Sequence, residues 1–581
     1  MDDKLAVLTQ LGFTDYRPLQ EEAIDALCEN RDVLLAAPTG GGKSLVYQSA
    51  GLIRRGVAVV ISPLLSLMSQ QVNELNKKGI NARFLNSTLN PGEQDDLVWS
   101  LRHCHIDLLY LSPEKLVQAS VLGVLQSVEI SLFAIDEAHC ITQWGGDFRP
   151  EYSQLGKLRE LFPDTPIIAL TGSVDKKTAD QIKSSLSLDN CLVLRNSFDR
   201  SNIHIRIAQK RKAKQQILYF IKNEVPGETG IIYCRSRKKV DELTAWFNDL
   251  GIPSFGYHAA MTNDEKQKNH TDFIGTYGSL MFATTAYGMG IDIPHIRFVI
   301  HVDLPNSPEA FLQEIGRAGR DGRPAKSLLL YGLQDMLQAK KLASNSGASS
   351  NESLQKLFEI LETRGCRRVN MLAYFDETVE VCNNCDRCNS VTSEQNVTTA
   401  CQKILSLIYH TKGLHPFSVL IQTLIGKRSK AVTSLRAELS PLFGKGKELN
   451  EAQWKAIVRY LLALEYIELG EGHAFTVHLT EKSRVLLQGK EQALIASEYY
   501  YPIIDDGQFS EENIKLHQIT AWRNENKVAQ VNDSQLRLIC LHQPKTIASL
   551  SRLTGLSKEV VSTFSTDILN LLHEPSEKRN T

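Results

Sequence analysis

The stretch APTGGGKS, residues 37–44, limits what this chain can fold into more than any other. It overlaps the apolar run DVLLAAP (32–38) and opens a helical pattern. A glycine-rich turn between a buried strand and a helix belongs to a βαβ unit, which calls for a parallel sheet covered on both faces. Glycines let successive backbone N–H groups curl around an anion, and the start of the helix adds positive potential. The expected ligand is a nucleoside triphosphate. Thr39, Gly40 and Gly42 form the turn, Lys43 reaches the β- and γ-phosphates, and the Ser44 hydroxyl ligates Mg2+. Ala37 stands where the strict pattern has glycine.

The first 335 residues repeat this alternation. VAVVISP (57–63), IDLLYLSP (106–113), SLFAIDEAH (131–139) and PIIALTG (166–172) are short apolar runs separated by amphipathic stretches. NSFDRSNIHIRI (196–207) reads as a connector. A second set follows: GIIYCRS (230–236), PSFGYHA (253–259), SLMFATT (279–285), RFVIHVDLP (297–305) and SLLLYG (327–332). The expected fold is multidomain α/β, with two tandem doubly wound parallel-sheet domains whose ligands lie at the carboxyl ends of the strands. At 581 residues the chain is too long for one core. No window reaches the roughly 18 apolar residues of a membrane span. The start, MDDKLAVLTQLGF, has no basic n-region of a secretory signal. With a net charge of -1, any nucleic-acid surface must be a local basic stripe.

DEAH (136–139) ends a strand of the first set. Asp136 is expected to hold Mg2+ through water and Glu137 to polarise the attacking water. The second domain lacks a phosphate loop but carries QEIGRAGRDG (313–322). On a helix, Arg317 and Arg320 share a face, and arginines facing a neighbouring site stabilise the charge of phosphoryl transfer. The candidate catalytic set is Lys43, Asp136, Glu137, Gln313, Arg317 and Arg320. One domain holds the phosphates and the other supplies the arginine, so hydrolysis is coupled to their relative motion.

Residues 336–365 have a helical pattern. Cys366, Cys382, Cys385 and Cys388 follow as C-x15-C-x2-C-x2-C. Four thiolates so spaced suit a closed tetrahedral zinc site, and the spacing also admits an iron–sulfur cluster. Other cysteines, such as Cys28, Cys191 and Cys234, stand singly in apolar runs, as in a reducing compartment. A polar linker, NSVTSEQNVTT (389–399), leads to helical stretches that end in WKAIVRYLLALEYIEL (454–469). GEGHAFTVHLT (470–480) reads as a β-hairpin, and helices followed by a hairpin suggest a winged helix. GKRSK (426–430) is as readily a solvated loop as a phosphate contact. A second linker, YYYPIIDDGQFSEEN (499–513), precedes a small helical unit.

CITQWGGDFRPEY (140–152) sets Trp144, Phe148 and Tyr152 at spacing four, with Arg149 beside Phe148. It is either a packed core turn or a surface on which bases stack, at roughly 1–3 kcal/mol each.

Together these motifs resemble the RecQ family of DNA helicases, from about residue 5 to 490 and faintly beyond. GFTDYRPLQ (12–20), SPLLSLMSQQV (62–72), IIYCRSRKKVDEL (231–243), TTAYGMGIDIPHIRFVIH (284–301) and the 140–152 stretch look like that family's motifs. The resemblance implies RecA-like sheet domains at 1–197 and 198–335, a helical zinc subdomain at 336–392, a winged helix at 398–490 and a helical HRDC-like domain at 511–575. It implies that Phe13 and Arg17 sandwich adenine while Gln20 reads its edge. It implies that Trp144, Phe148 and Arg149 sense single-stranded DNA, that the metal is zinc, and that His473 lies on a strand-separating wing. The implied cofactors are ATP, Mg2+ and Zn2+. The implied activity is ATP-dependent unwinding of duplex or branched DNA in recombination and repair, with movement three-prime to five-prime. A DNA-stimulated ATPase, translocase or annealing scaffold with weak unwinding is the alternative. A DEAH-type RNA helicase is disfavoured by the zinc cluster, the winged helix and the aromatic loop. Expected partners are single-stranded and duplex DNA and a single-strand DNA-binding protein, with no membrane. The expected state is a monomer in the cytoplasm, at the nucleoid if bacterial. The sequence departs from the family at Gly146, where histidine is usual, and at TGSV (171–174), where Thr-Ala-Thr-Ala is usual.

Overall fold

The structure, a computed structural model, describes residues 2–38, 41–63, 65–85, 91–141, 150–172, 175–288, 293–344, 348–389, 394–470, 476–496 and 558–573, with scattered positions between 519 and 550. Seven parallel strands build the first sheet: β1 (Val33–Ala36), β2 (Val57–Ile61), β3 (Ala82–Leu85), β4 (Leu108–Leu111), β5 (Ile130–Ile135), β6 (Ile167–Thr171) and β7 (Leu192–Arg195). Their order is β3-β4-β2-β5-β6-β1-β7. β1, β2, β4 and β6 are buried at every residue. Alternate residues of one strand enter different cores. Leu34 and Val59 pack on one face, and Val33, Leu35 and Val60 on the other. A sheet with two covered faces needs such unbroken apolar runs.

The second sheet holds β8 (Ile203–Gln209), β9 (Gly230–Tyr233), β10 (Ser254–Tyr257), β11 (Leu280–Ala283), β12 (Phe298–His301) and β13 (Ala325–Tyr331), in the order β10-β11-β9-β12-β13-β8. All its pairings are parallel. Helices Leu333–Ser344 and Ala348–Glu362 follow, then the cysteine region. Beyond it, β14 (Glu394–Asn396) pairs with the later Leu494–Ala496, around helices Thr398–His410, Phe417–Ile425 and Glu451–Ala463. Strands Ile467–Leu469 and Val477–Leu479 form an antiparallel pair.

Three expectations need correction. The connector 196–207 is partly strand, because Ile203–Gln209 pairs along β13. The hairpin begins earlier than 470: the helix stops at Ala463, and the strand Ile467–Leu469 lies within the stretch read as helical. The linker 389–399 contains β14 and the start of a helix.

Residues 211–224 and 501–581 form a separate compact unit. Its apolar cluster includes Ile519, Leu536, Ile539, Leu550, Ile568 and Leu572, the last two on helix Lys558–His573. No described helix is long and apolar enough to cross a membrane.

Candidate active site

The glycine loop leaves the end of β1 and runs into helix Lys43–Ile53. The Gly41 N–H donates to the Pro38 carbonyl at 2.9 Å, closing the turn. Gly42 caps the helix at φ 75°, in the left-handed region that favours glycine. A Cβ at Gly42 would collide with the Gln20 amide. Lys43 Nζ donates to the Ala37 carbonyl at 2.9 Å, folded across the loop. Ser44 is half-buried on the first turn of this helix. Thr39 and Gly40 lie outside the described residues.

Gln20 is buried beside the loop. Its Nε2 donates to the Gly42 carbonyl at 3.1 Å, and its Oε1 accepts from the Arg17 N–H at 2.9 Å. One side chain therefore fixes the GFTDYRPLQ segment to the phosphate loop. Phe13 is half exposed, with the Lys78 ammonium 5.6 Å from its ring centre, and Arg17 is exposed.

Asp136 follows β5 directly, and Glu137 takes φ 49°. Burial and the neighbouring Glu137 push the Asp136 carboxyl up to about 7, against the pull of Lys43. Glu137 Oε2 is buried without a hydrogen-bond partner; the ring nitrogen His139 Nδ1 lies 3.3 Å away. Two adjoining acids, one of them destabilised as an anion, are the donor set that a divalent cation relieves, so the pair fits Mg2+. Tyr152, fully buried, donates to the Asp136 carbonyl at 2.9 Å, so this aromatic of the 140–152 stretch is a core residue. Trp144, Phe148 and Arg149 lie outside the described residues, as do Gly146 and His473.

His139 Nδ1 lies 3.2 Å from Thr171 Oγ1 at the end of β6. At the next residue, a Cβ on Gly172 would sit 3.3 Å from Gln313 Nε2. Gln313 of the second sheet domain thus lies beside Gly172, one residue beyond the Thr171 that meets His139. Sequence motifs alone did not reveal this placement.

Gln313 sits on helix Pro308–Ile315, capped by Ser307. Arg317 and Arg320 do not share a helix face, contrary to expectation: the helix ends at Ile315, and Gly319 has φ 61°. Arg317 is buried and donates to the Gly288 carbonyl within its own lobe; Arg320 is half-buried. The turn that carries both arginines is held from the inter-lobe connector. Arg200 donates to the carbonyls of Gly316, Ala318 and Gly319 at 2.9, 3.1 and 2.7 Å. Asn202 donates to those of Gly319 and Arg323 at 2.9 and 2.8 Å.

The four cysteines converge. Their sulfurs all lie within 4.8 Å of one another, with pairs at 3.3, 3.8 and 3.4 Å. A tetrahedron of Zn–S bonds has edges of about 3.8 Å, so the set fits zinc, and none of the four is in a disulfide. Cys366 caps helix Arg367–Ala373. Burial opposes its ionisation, but the N–H groups of Val369 and Cys382 outweigh it and pull the thiol down to about 7. Arg367, fully buried, pairs with Asp386 at 3.0 Å and donates to the Leu361 carbonyl at 2.6 Å.

Comparison with known proteins agrees with this geometry. Residues 17–182 match the DEAD/DEAH box helicase model and 209–322 the helicase conserved C-terminal domain. Residues 332–389 match the RecQ zinc-binding model, which includes all four cysteines, and 392–499 the RQC domain. The ATP-dependent DNA helicase RecQ of Pasteurella multocida is 33% identical over 97% of this chain and 92% of its own length. That of Bacillus subtilis is 32% identical over 82% of each. The ATP-dependent DNA helicase Q1 of Mus musculus is 32% identical over 80% of this chain and 73% of its own. Phosphate loop, acidic pair, second-lobe glutamine and four-cysteine centre thus stand in one chain in the same order as those models, and the chain belongs to the RecQ family of DNA helicases.

Proposed function

We propose that the protein is an ATP-dependent DNA helicase that moves three-prime to five-prime and unwinds duplex or branched DNA in recombination and repair. The observation that carries the reading is the placement of Gln313 beside Gly172, next to Thr171, whose hydroxyl meets His139 at the Asp136–Glu137 pair. A hydrolytic site that reaches both lobes makes lobe motion depend on the state of the nucleotide.

In this reading the loop N–H groups and Lys43 bind the β- and γ-phosphates, and Ser44 and Asp136 hold the metal. Mg2+, when bound, neutralises phosphate charge and orients the γ-phosphoryl group. Glu137 takes the proton of the attacking water, and His139 keeps that carboxylate aimed. Arg317 and Arg320 approach the phosphates on lobe closure and stabilise the transition state, while Gln313 reports the event to the second lobe. Phe13 and Arg17 sandwich the adenine, with Gln20 at its edge. Trp144, Phe148 and Arg149 stack on single-stranded DNA, and His473 sits at the wing where strands part. The four cysteines hold zinc, whose binding energy is folding energy for 336–392. The working modules are 1–197, 198–335, 336–392, 398–490 and an HRDC-like 511–575. We place the protein in the cytoplasm as a monomer, with a single-strand DNA-binding protein as partner.

The test is unwinding of a three-prime-tailed duplex with ATPase followed in parallel and Lys43→Ala as control. Unwinding that the control abolishes supports the helicase. DNA-stimulated ATPase without unwinding replaces it with a translocase or annealing scaffold. Equal stimulation by RNA and DNA would contradict DNA as the track.

A further inference from the structure

The segment between the two sheets is gripped along its length by the zinc region. The Glu377 carboxylate accepts from the Phe198 N–H at 2.9 Å and the Ser197 hydroxyl at 2.7 Å. Arg368, 4% exposed, pairs with Asp199 at 2.9 Å and donates to the carbonyls of Arg200 and Ile203 at 3.0 and 2.7 Å. Asn384 donates to the Ser201 carbonyl at 2.8 Å. The rings of Phe198 and Phe375, both 1% exposed, lie 5.1 Å apart. Arg368 is two residues from Cys366, and Asn384 adjoins Cys385. The same segment then reaches forward. Arg200 and Asn202 together hold the carbonyls of Gly316, Ala318, Gly319 and Arg323, the turn that carries Arg317 and Arg320.

We propose that Arg200 and Asn202 are positioning residues for ATP hydrolysis: they fix the turn bearing Arg317 and Arg320, and Arg368 and Glu377 hold them in place from the zinc region. The physical argument rests on the end of the helix. Past Ile315 the N–H groups of Arg317 and Ala318 still bond back to the Glu314 and Ile315 carbonyls, but the helical path stops at left-handed Gly319 and the carbonyls of the turn have no helical partners ahead of them. They find donors in the connector instead. The Arg200 guanidinium spans three of them, a fork that a lysine cannot reproduce. Arginine placement matters because a guanidinium about 1 Å out of position loses most of its effect on the developing charge. The zinc region thereby acts on hydrolysis through the connector, without touching the nucleotide.

The proposal rests on Arg317 and Arg320 acting in hydrolysis, so the experiment tests that first. Steady-state, DNA-stimulated ATPase is measured on the full chain for Arg317→Ala, Arg320→Ala, Arg200→Ala, Asn202→Ala and Arg200→Ala/Arg317→Ala, with zinc content and DNA affinity for each. If neither Arg317→Ala nor Arg320→Ala lowers kcat tenfold, the reading of the arginines fails, and the positioning proposal falls with it. If either does, Arg200→Ala is expected to lower kcat at least tenfold, with KM for ATP and DNA affinity within twofold and one zinc per chain retained. The double variant is expected to be no slower than the slower of its two single variants, because Arg200→Ala already displaces Arg317. Arg200→Lys should restore little. An unchanged kcat in Arg200→Ala, or losses that multiply in the double variant, would overturn the proposal. Should Arg200→Ala not fold, Asn202→Ala carries the same test on the same turn, with the same expected and contrary results.

Discussion

A buried ionic contact joins three modules and gives a quantitative test. Glu362, at the end of helix Ala348–Glu362, and Arg459, on helix Glu451–Ala463, are each 1% exposed as side chains and meet at 2.5 Å. The Tyr331 hydroxyl, at the end of β13, donates to the same carboxylate at 2.5 Å, and the Arg459 guanidinium lies 5.3 Å from the Tyr331 ring centre. One carboxylate thus serves a cation from the winged-helix region and a phenol from the second sheet. Glu362→Ala takes this carboxylate from a buried guanidinium, which destabilises by about 3–5 kcal/mol. For a module of 150–250 residues that is a fall of about 6–20 °C in Tm. Calorimetry of the full chain reads it as a downward shift of the transition that includes the winged helix. Glu362→Ala/Arg459→Met removes both charges and should recover most of the loss. A shift under about 3 °C in the single variant, or a double variant no more stable than the single, would refute the reasoning.

Other outcomes follow from the same structure. Cys385→Ser should reduce bound zinc from one per chain to near none, and limited proteolysis should then cut within 366–389, because metal binding there is folding; retained zinc would contradict the four-sulfur site. Gln20→Ala removes the amide proposed to bond the adenine edge, a hydrogen bond worth about 1 kcal/mol, so Kd for a fluorescent ATP analogue should rise about fivefold; an unchanged Kd would count against it. Burial pushes Asp303 up, but Lys210, the Arg235 N–H and Lys239 outweigh it and hold the carboxyl at about 2 against an ordinary 3.8. A depressed folded value stabilises the protein above the ordinary value and loses that effect as pH falls through it. Asp303, 9% exposed as a side chain, should therefore lose about 2 kcal/mol between about pH 4 and pH 2. Asp303→Asn should flatten the acid limb of stability against pH.

Which parts of the fold were legible in the sequence follows from where each strand lies. Strands inside a parallel sheet are covered on both faces, so β1, β2 and β4 read as unbroken apolar runs, and β5 and β6 are each interrupted by a single hydroxyl residue. The strands that escaped notice, ARFL at β3, LVLR at β7 and IHIRIAQ at β8, lie at sheet edges. There half the side chains meet water and the apolar signal fades. Sequence motifs named the separate parts of the site but not the links between them. Nothing in DEAH reveals that His139 meets Thr171, and nothing in GRAGR reveals that Arg200, more than a hundred residues earlier, holds that turn. The helix expected for Arg317 and Arg320 failed because spacing three suits any short turn, while Gly316 and Gly319 favour leaving the helix.

The gripped connector also changes how often the two halves of the site meet. Seven residues separate Arg195 from Ile203, and a free chain of that length would wander over about 15 Å. Each half would then see the other at a concentration set by diffusion within that volume. Here Glu377, Arg368 and Asn384 pin the chain, so the path between the two sheets is set by packing. The concentration at which one sheet domain meets the other is then a property of the folded chain, not of a loose tether.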